Sequence, residues 1–135
     1  RLRGGLGADQ LTGGAGNDVF IYPTLLDSIF RSQDHITDFN VSSDSLSLPK
    51  SVVPTILPPI KTEGVASESR LVSLLPSSRF QANTVACLVF TQANQNQTYL
   101  VVNDAFAGFQ PLGDCVIDLS GLTGPIERLV LAAGV

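Results

Sequence analysis

The chain opens with two copies of one nine-residue phrase, GGLGADQLT over residues 4–12 and GGAGNDVFI over 13–21, and no other feature limits its fold so tightly. The copies align without a gap: Gly, Gly, a small or apolar residue, Gly, a variable residue, Asp, a variable residue, a large apolar residue and a variable one. The glycines let the backbone turn sharply through positive φ with no Cβ in the way. Gln10-Leu11-Thr12 and Val19-Phe20-Ile21 then predict short strands that send Leu11 and Phe20 into a narrow core. A flexible linker would keep neither the aspartate nor the large apolar residue in register. In the same register, residues 22–30 retain Asp27 and Ile29 after every glycine has gone.

A turn of this kind points successive backbone carbonyls toward one spot, and its aspartate adds a carboxylate. Such hard oxygen ligands suit Ca²⁺, which takes six to eight of them in flexible geometry. Zinc or copper would want His or Cys, and neither stands here.

On these residues the first part of the chain resembles the RTX, or hemolysin-type, calcium-binding repeat. The resemblance implies a parallel β-roll in which alternate turns stack on one edge, with each Ca²⁺ held between a turn and the next but one. It pairs the turn of Asp9 with that of Asp27, and the turn of Asp18 with the segment carrying Asp34. The phrase DHITDFNVSSDSLSL, residues 34–48, is similar to the segment that closes the roll in that family, with Asp34, Ile36, Asp38, Phe39 and Asp44 matching and Ser43 replacing the usual glycine. For Asp38 and Asp44, calcium ligation and turn hydrogen bonding both fit. The expected metal set is Gly5, Gly7, Asp9, Gly14, Gly16, Asp18, Asp27, Asp34 and Asp38.

The second half, from Cys87 to Leu131, resembles the bluetail-type C-terminal domain of cyanobacterial surface proteins through Tyr99-Leu100, Asn103-Asp104, Ala107-Gly108-Phe109, Asp114 and Gly121-Leu122-Thr123-Gly124. Together the resemblances imply a calcium-stabilised structural and secretion module of an extracellular or cell-surface protein, exported by type I machinery. The alternative is the same module in a secreted protease or lipase whose catalytic domain lies upstream. Upstream repeats or a parent domain would then be its neighbours, and the opening Arg1 fits a chain cut from a longer precursor.

Composition agrees with a mostly β fold. TVACLVF and TYLVVND, separated by the polar QANQNQ, predict a β-hairpin, and CVIDLSG and ERLVLAAG predict two further strands. Residues 49–79 hold Pro49, Pro54, Pro58, Pro59 and Pro76 and read as loop-rich, with one short helix or strand at 69–75. The expected organisation is a roll end over residues 1–48 capped by a β-rich domain over 49–135, the two packed as one unit.

A net charge of −4, with nine of the twelve acids Asp and the basic residues scattered, argues against nucleic acid and against a polybasic membrane patch. No apolar run is long enough to insert in a membrane. No GxSxG, HExxH or paired Cys and His accompanies the lone His35, so no enzyme activity is expected. Cys87 and Cys115 fit either a disulfide or two buried thiols. Asp114 with Asp118 would make a weaker second cation site, and Tyr99, Phe106 and Phe109 a glycan-binding platform if exposed.

Overall fold

The structure, a computed structural model, describes residues 1–52 and 56–133, with side chains as far as Leu131. Pro54 of the loop-rich middle and the final Gly134 lie outside the described residues. The chain is mostly β. Its strands are β1 (Gln10–Leu11), β2 (Val19–Ile21), β3 (Asp34–Ile36), β4 (Ser45–Leu48), β5 (Ile60–Glu63), β6 (Val85–Gln92), β7 (Gln95–Val102), β8 (Cys115–Asp118) and β9 (Leu131–Ala133). Among the described residues a single α-helix, α1 (Glu68–Leu74), begins where the Ser67 side chain accepts the Arg70 N–H.

The strands form two sheets, ordered β1-β3-β8-β7-β6-β5 and β2-β4-β9. Contacts between β1, β3 and β8 are parallel, as are those between β2, β4 and β9. The chain therefore alternates between sheets: β1 to β2 is one coil, β3 to β4 the next, and β8 to β9 a third. That third coil arrives only after the excursion that contains β5, α1, β6 and β7. It covers the roll on both sides, pairing Asp34 with Ile117 and Leu46 with Leu131. In the smaller sheet Leu2 bridges to Phe20, ahead of the first coil.

The repeat phrase explains the first two strands. Phe20 is fully buried and Leu11 packs half-buried against the same core, which includes Ile36, Phe39, Leu46, Leu100 and Ile117 between the sheets. The hairpin strands are buried on both faces, which is why they read as continuous apolar runs. Cys87, Leu100 and Val102 face the smaller sheet, while Leu88, Phe90 and Val101 face outward beneath Leu71 of α1 and Leu75 just after it.

Three sequence expectations change. Residues 22–30 do not form a third nonapeptide: they hold a 3-10 turn at Leu25–Asp27 and no strand, because without glycine the loop to β3 lengthens to residue 33. The expected polar turn QANQNQ contracts to Ala93-Asn94, both at positive φ (50° and 64°), and Gln95 to Gln97 continue the strand. The loop-rich middle supplies an edge strand, β5, as well as α1.

Cys87 lies on β6 and Cys115 on β8, separated by β7, where they neighbour Leu100 and Val102. Two strand spacings amount to roughly 9–10 Å, beyond disulfide reach. Both thiols are free and fully buried.

Candidate metal site

The two glycine turns have nearly the same backbone. Gly5 and Gly7 have φ of 89° and 106°, Gly14 and Gly16 of 85° and 105°. Only glycine adopts this repeatedly without strain. The leading glycine of each turn serves a different purpose. A Cβ on Gly4 would stand 2.6 Å from Asp9 Oδ2, and one on Gly13 would stand 2.7 Å from Asp18 Oδ2. Each carboxylate thus folds back over the first glycine of its own turn, and both Oδ2 atoms are buried with no hydrogen-bond partner.

Connectivity sorts the turns onto two edges. The loop of Asp9 (residues 4–9) and the loop before β3 (residues 22–33) both pass from the smaller sheet to the larger one, so they share an edge. The turn of Asp18 (residues 13–18) and the segment between β3 and β4 pass the opposite way and share the other.

The stacking matches the two edges residue by residue. On the first, the Asp9 N–H donates to Asp34 Oδ1 at 2.9 Å and the Asp9 carbonyl accepts the His35 N–H at 2.9 Å. On the second, the Asp18 N–H donates to Asp44 Oδ1 at 3.0 Å and the Asp18 carbonyl accepts the Ser45 N–H at 2.9 Å.

Asp34 and Asp44 are therefore the next-coil counterparts of Asp9 and Asp18. The expected pairing of Asp18 with Asp34 is corrected: those residues lie on opposite edges. Asp27 does share the edge of Asp9, but Asp34 makes the direct hydrogen bond. Asp44 stood outside the expected metal set. The phrase Asp, any residue, apolar residue opens the strands at 9–11, 18–20, 34–36 and 44–46, but it also occurs at 27–29 and 104–106 where no strand follows, so by itself it does not single out Asp44.

The edges differ in how their charge is met. Asp38 accepts the Gly13 N–H at 2.9 Å and the Gly14 N–H at 2.7 Å, and those bonds hold its carboxyl below the usual range. Asp44 accepts a second N–H from Asn40 at 2.9 Å. Hydrogen bonds thus occupy both oxygens of each, and the turn role fits Asp38 better than ligation.

On the first edge, Asp27 and Asp34 are 2% and 0% exposed, and each has an Oδ2 without a hydrogen-bond partner. Burial pushes the Asp34 carboxyl up, against the Asp9 N–H, with Asp9 and Asp27 adding repulsion. The Tyr22 hydroxyl, buried beside Asp34, completes no hydrogen bond of good geometry. Among the described residues no three His, Cys, Asp or Glu side chains converge on one point, so a bound cation would draw on carbonyl oxygens as well. The orphaned carboxylate oxygens and glycine turns meet that requirement for Ca²⁺, a cation that accepts mixed oxygen ligands.

Other candidates have structural roles. Asp114 accepts N–H groups from Asp104 at 2.9 Å and Gln110 at 2.7 Å, and Asp118 accepts the Ser120 N–H at 2.8 Å, so the pair is not a cation site. A ring nitrogen of His35 lies 3.2 Å from the Ser120 carbonyl, which ties β3 to the loop after β8. Tyr99 and Phe109 are 7% exposed, leaving Phe106, at 70%, alone on the surface, so these aromatics do not form a platform. A cleft of about 400 Å³ carries Lys61, Asn96, Thr98 and Glu127, but no buried unpaired polar atom lines it.

Parallel coils joined by glycine turns, with unpaired carboxylate oxygens at the edges, define the end of a β-roll of the calcium-binding kind. Residues 2–56 match the family model described as peptidase M10 serralysin C terminal, which supports an RTX-type repeat region there. No curated protein matches the chain. Among the described residues no helix is long and apolar enough to cross a membrane.

Proposed function

We propose that the chain binds calcium and uses it to complete its fold, as a structural and secretion module of an extracellular or cell-surface protein. The observation that carries this reading is the pair of near-identical glycine turns, each with a buried, unpartnered aspartate oxygen folded over its first glycine. A buried anionic oxygen without a partner is costly, and a cation with oxygen ligands removes that cost. Where free calcium is scarce the acidic edges repel; where it is abundant, binding is coupled to folding. Asp9 and Asp18 act with the carbonyls of their own glycine turns, while Asp34 and Asp27 add charge on the first edge. In this reading residues 1–48 supply the calcium-binding coils and the later part of the chain caps them, adding its own coil to both sheets. The bluetail-type resemblance of the second half supports a surface protein as parent.

Calcium titration followed by circular dichroism and thermal melting tests this. Calcium at a hundredfold its Kd should stabilise the fold by about 2.7 kcal/mol per site. Asp9→Ala and Asp18→Ala should each remove part of the gain while changing stability in chelator far less. A melting curve unmoved by calcium or chelator would refute the reading. The family match favours a second reading, in which the same module ends a secreted hydrolase; the chain itself would show no hydrolytic activity.

A further inference from the structure

One basic side chain reaches the acidic edges. Arg3 Nε lies 3.8 Å from Asp27 Oδ2, with the Arg3 side chain 57% exposed and that of Asp27 only 3%. Among the described residues no other carboxylate of the two edges has a basic group within ion-pairing distance. The separation is longer than a hydrogen bond, and Asp27 Oδ2 remains without a hydrogen-bond partner. Arg3 thus offsets the charge of a buried acid from outside, without filling its ligand position.

On the opposite edge Asp18 Oδ2 is open, but among the described residues no basic group lies within ion-pairing distance of it. Asp38 and Asp44 there receive backbone N–H groups on both oxygens. On the first edge Asp34 receives one, from Asp9, and its Oδ2 receives none. Two nearly inaccessible carboxylates with open oxygens therefore share an edge, and the guanidinium of a partly exposed arginine lies beside one of them.

We propose that Arg3 is a built-in competitor for the calcium ion of this edge: it neutralises Asp27 when the ion is absent and is displaced when the ion binds. The inference rests on the calcium reading above and adds the regulation of one site. The first-edge site is then the weaker and more readily exchanged, because binding there must also break an ion pair. The second-edge site has no such competitor.

Calorimetric calcium titration of the chain and its Arg3→Gln, Arg3→Lys and Asp27→Asn variants, with melting in chelator, tests this. Arg3→Gln should tighten one class of site about two- to fivefold, as expected for loss of a partly exposed ion pair. It should also lower the melting temperature in chelator. Arg3→Lys should behave as the parent. In the Asp27→Asn background Arg3→Gln should change nothing further.

Parent protein that binds calcium while Arg3→Gln leaves the affinity unchanged or weaker overturns this inference alone. Equal loss of melting temperature by Arg3→Gln with and without calcium also overturns it, since that marks a structural role. Parent protein that binds no calcium overturns both readings.

Discussion

Replacing Gly13 by alanine should cost less once the carboxylate at position 18 is removed. In the parent chain the new Cβ would lie 2.7 Å from Asp18 Oδ2 and 2.9 Å from its Cγ. Both distances are far inside the roughly 3.5 Å optimum for heavy-atom contact. The carboxylate must swing away, and crowding of this kind costs about 1–3 kcal/mol. Gly13 is not among the glycines with positive φ, so alanine is otherwise compatible with its backbone. Once the carboxylate is removed in Asp18→Ala, only the residue-18 Cβ is left, 3.0 Å from the new one, so Gly13→Ala should cost less there, with the unfolded chain's lost freedom offsetting about 0.4–1 kcal/mol.

The coupling between the two sites is then roughly 1 kcal/mol. Gly14 supplies the control. It has φ of 85° and open space around it, so Gly14→Ala should cost about 1–2 kcal/mol in both backgrounds. Urea unfolding followed by circular dichroism, in chelator so that no ion contributes, measures all five variants. Equal destabilisation by Gly13→Ala in both backgrounds would refute the carboxylate-over-glycine geometry.

Two further outcomes follow from buried groups. Burial pushes the Asp114 carboxyl up to about 7, against the opposing N–H groups of Gln110 and Asp104. The folded state holds that proton more tightly than the unfolded chain does. This contribution to stability is complete below about pH 4 and is lost as the pH rises to about 7. Asp114→Asn should flatten that slope in chelator-buffered melts; an unchanged slope would count against the assignment. Burial also pushes the Cys87 thiol up to about 12 and raises Cys115 further. A thiol reagent should accordingly label neither native cysteine and both in denaturant, and reductant should leave the melting temperature unchanged. Labelling of the native protein would refute the buried free thiols.

The glycine repeat made the first coil legible because its positions are set by local sterics: φ at Gly5, Gly7, Gly14 and Gly16, and apolar burial at Leu11 and Phe20. The second coil was harder to read. A nine-residue register carried past Ile21 places Asp27 opposite Asp9, but the loop to β3 runs to residue 33, and no local rule sets its length. What persists across coils is the aspartate that begins a strand, since its neighbour's N–H and carbonyl need partners in the stack. The third coil is set by pairing across distant sequence, Leu46 with Leu131 and Asp34 with Ile117. Arg3 was invisible because an exposed arginine before a turn has no pattern of its own.

The turns also show what the glycine phrase contributes beyond shape. At 40–44 and 110–114 the chain closes the same device twice: Asp44 and Asp114 each accept the N–H four residues back and one more from a neighbouring segment. Such a turn satisfies its own carboxylate with amides and needs no ion. In the turn of Asp18 the corresponding donors are spent elsewhere, since the Gly13 and Gly14 N–H groups point to Asp38 on the next coil. Asp18 Oδ2 is then left facing its own first glycine with no donor in reach. The difference between a turn that is complete as folded and one that lacks positive charge is thus where its amides point. Consecutive glycines at positions one and two make the second outcome available, by letting the amides turn outward to the next coil while the carboxylate folds inward.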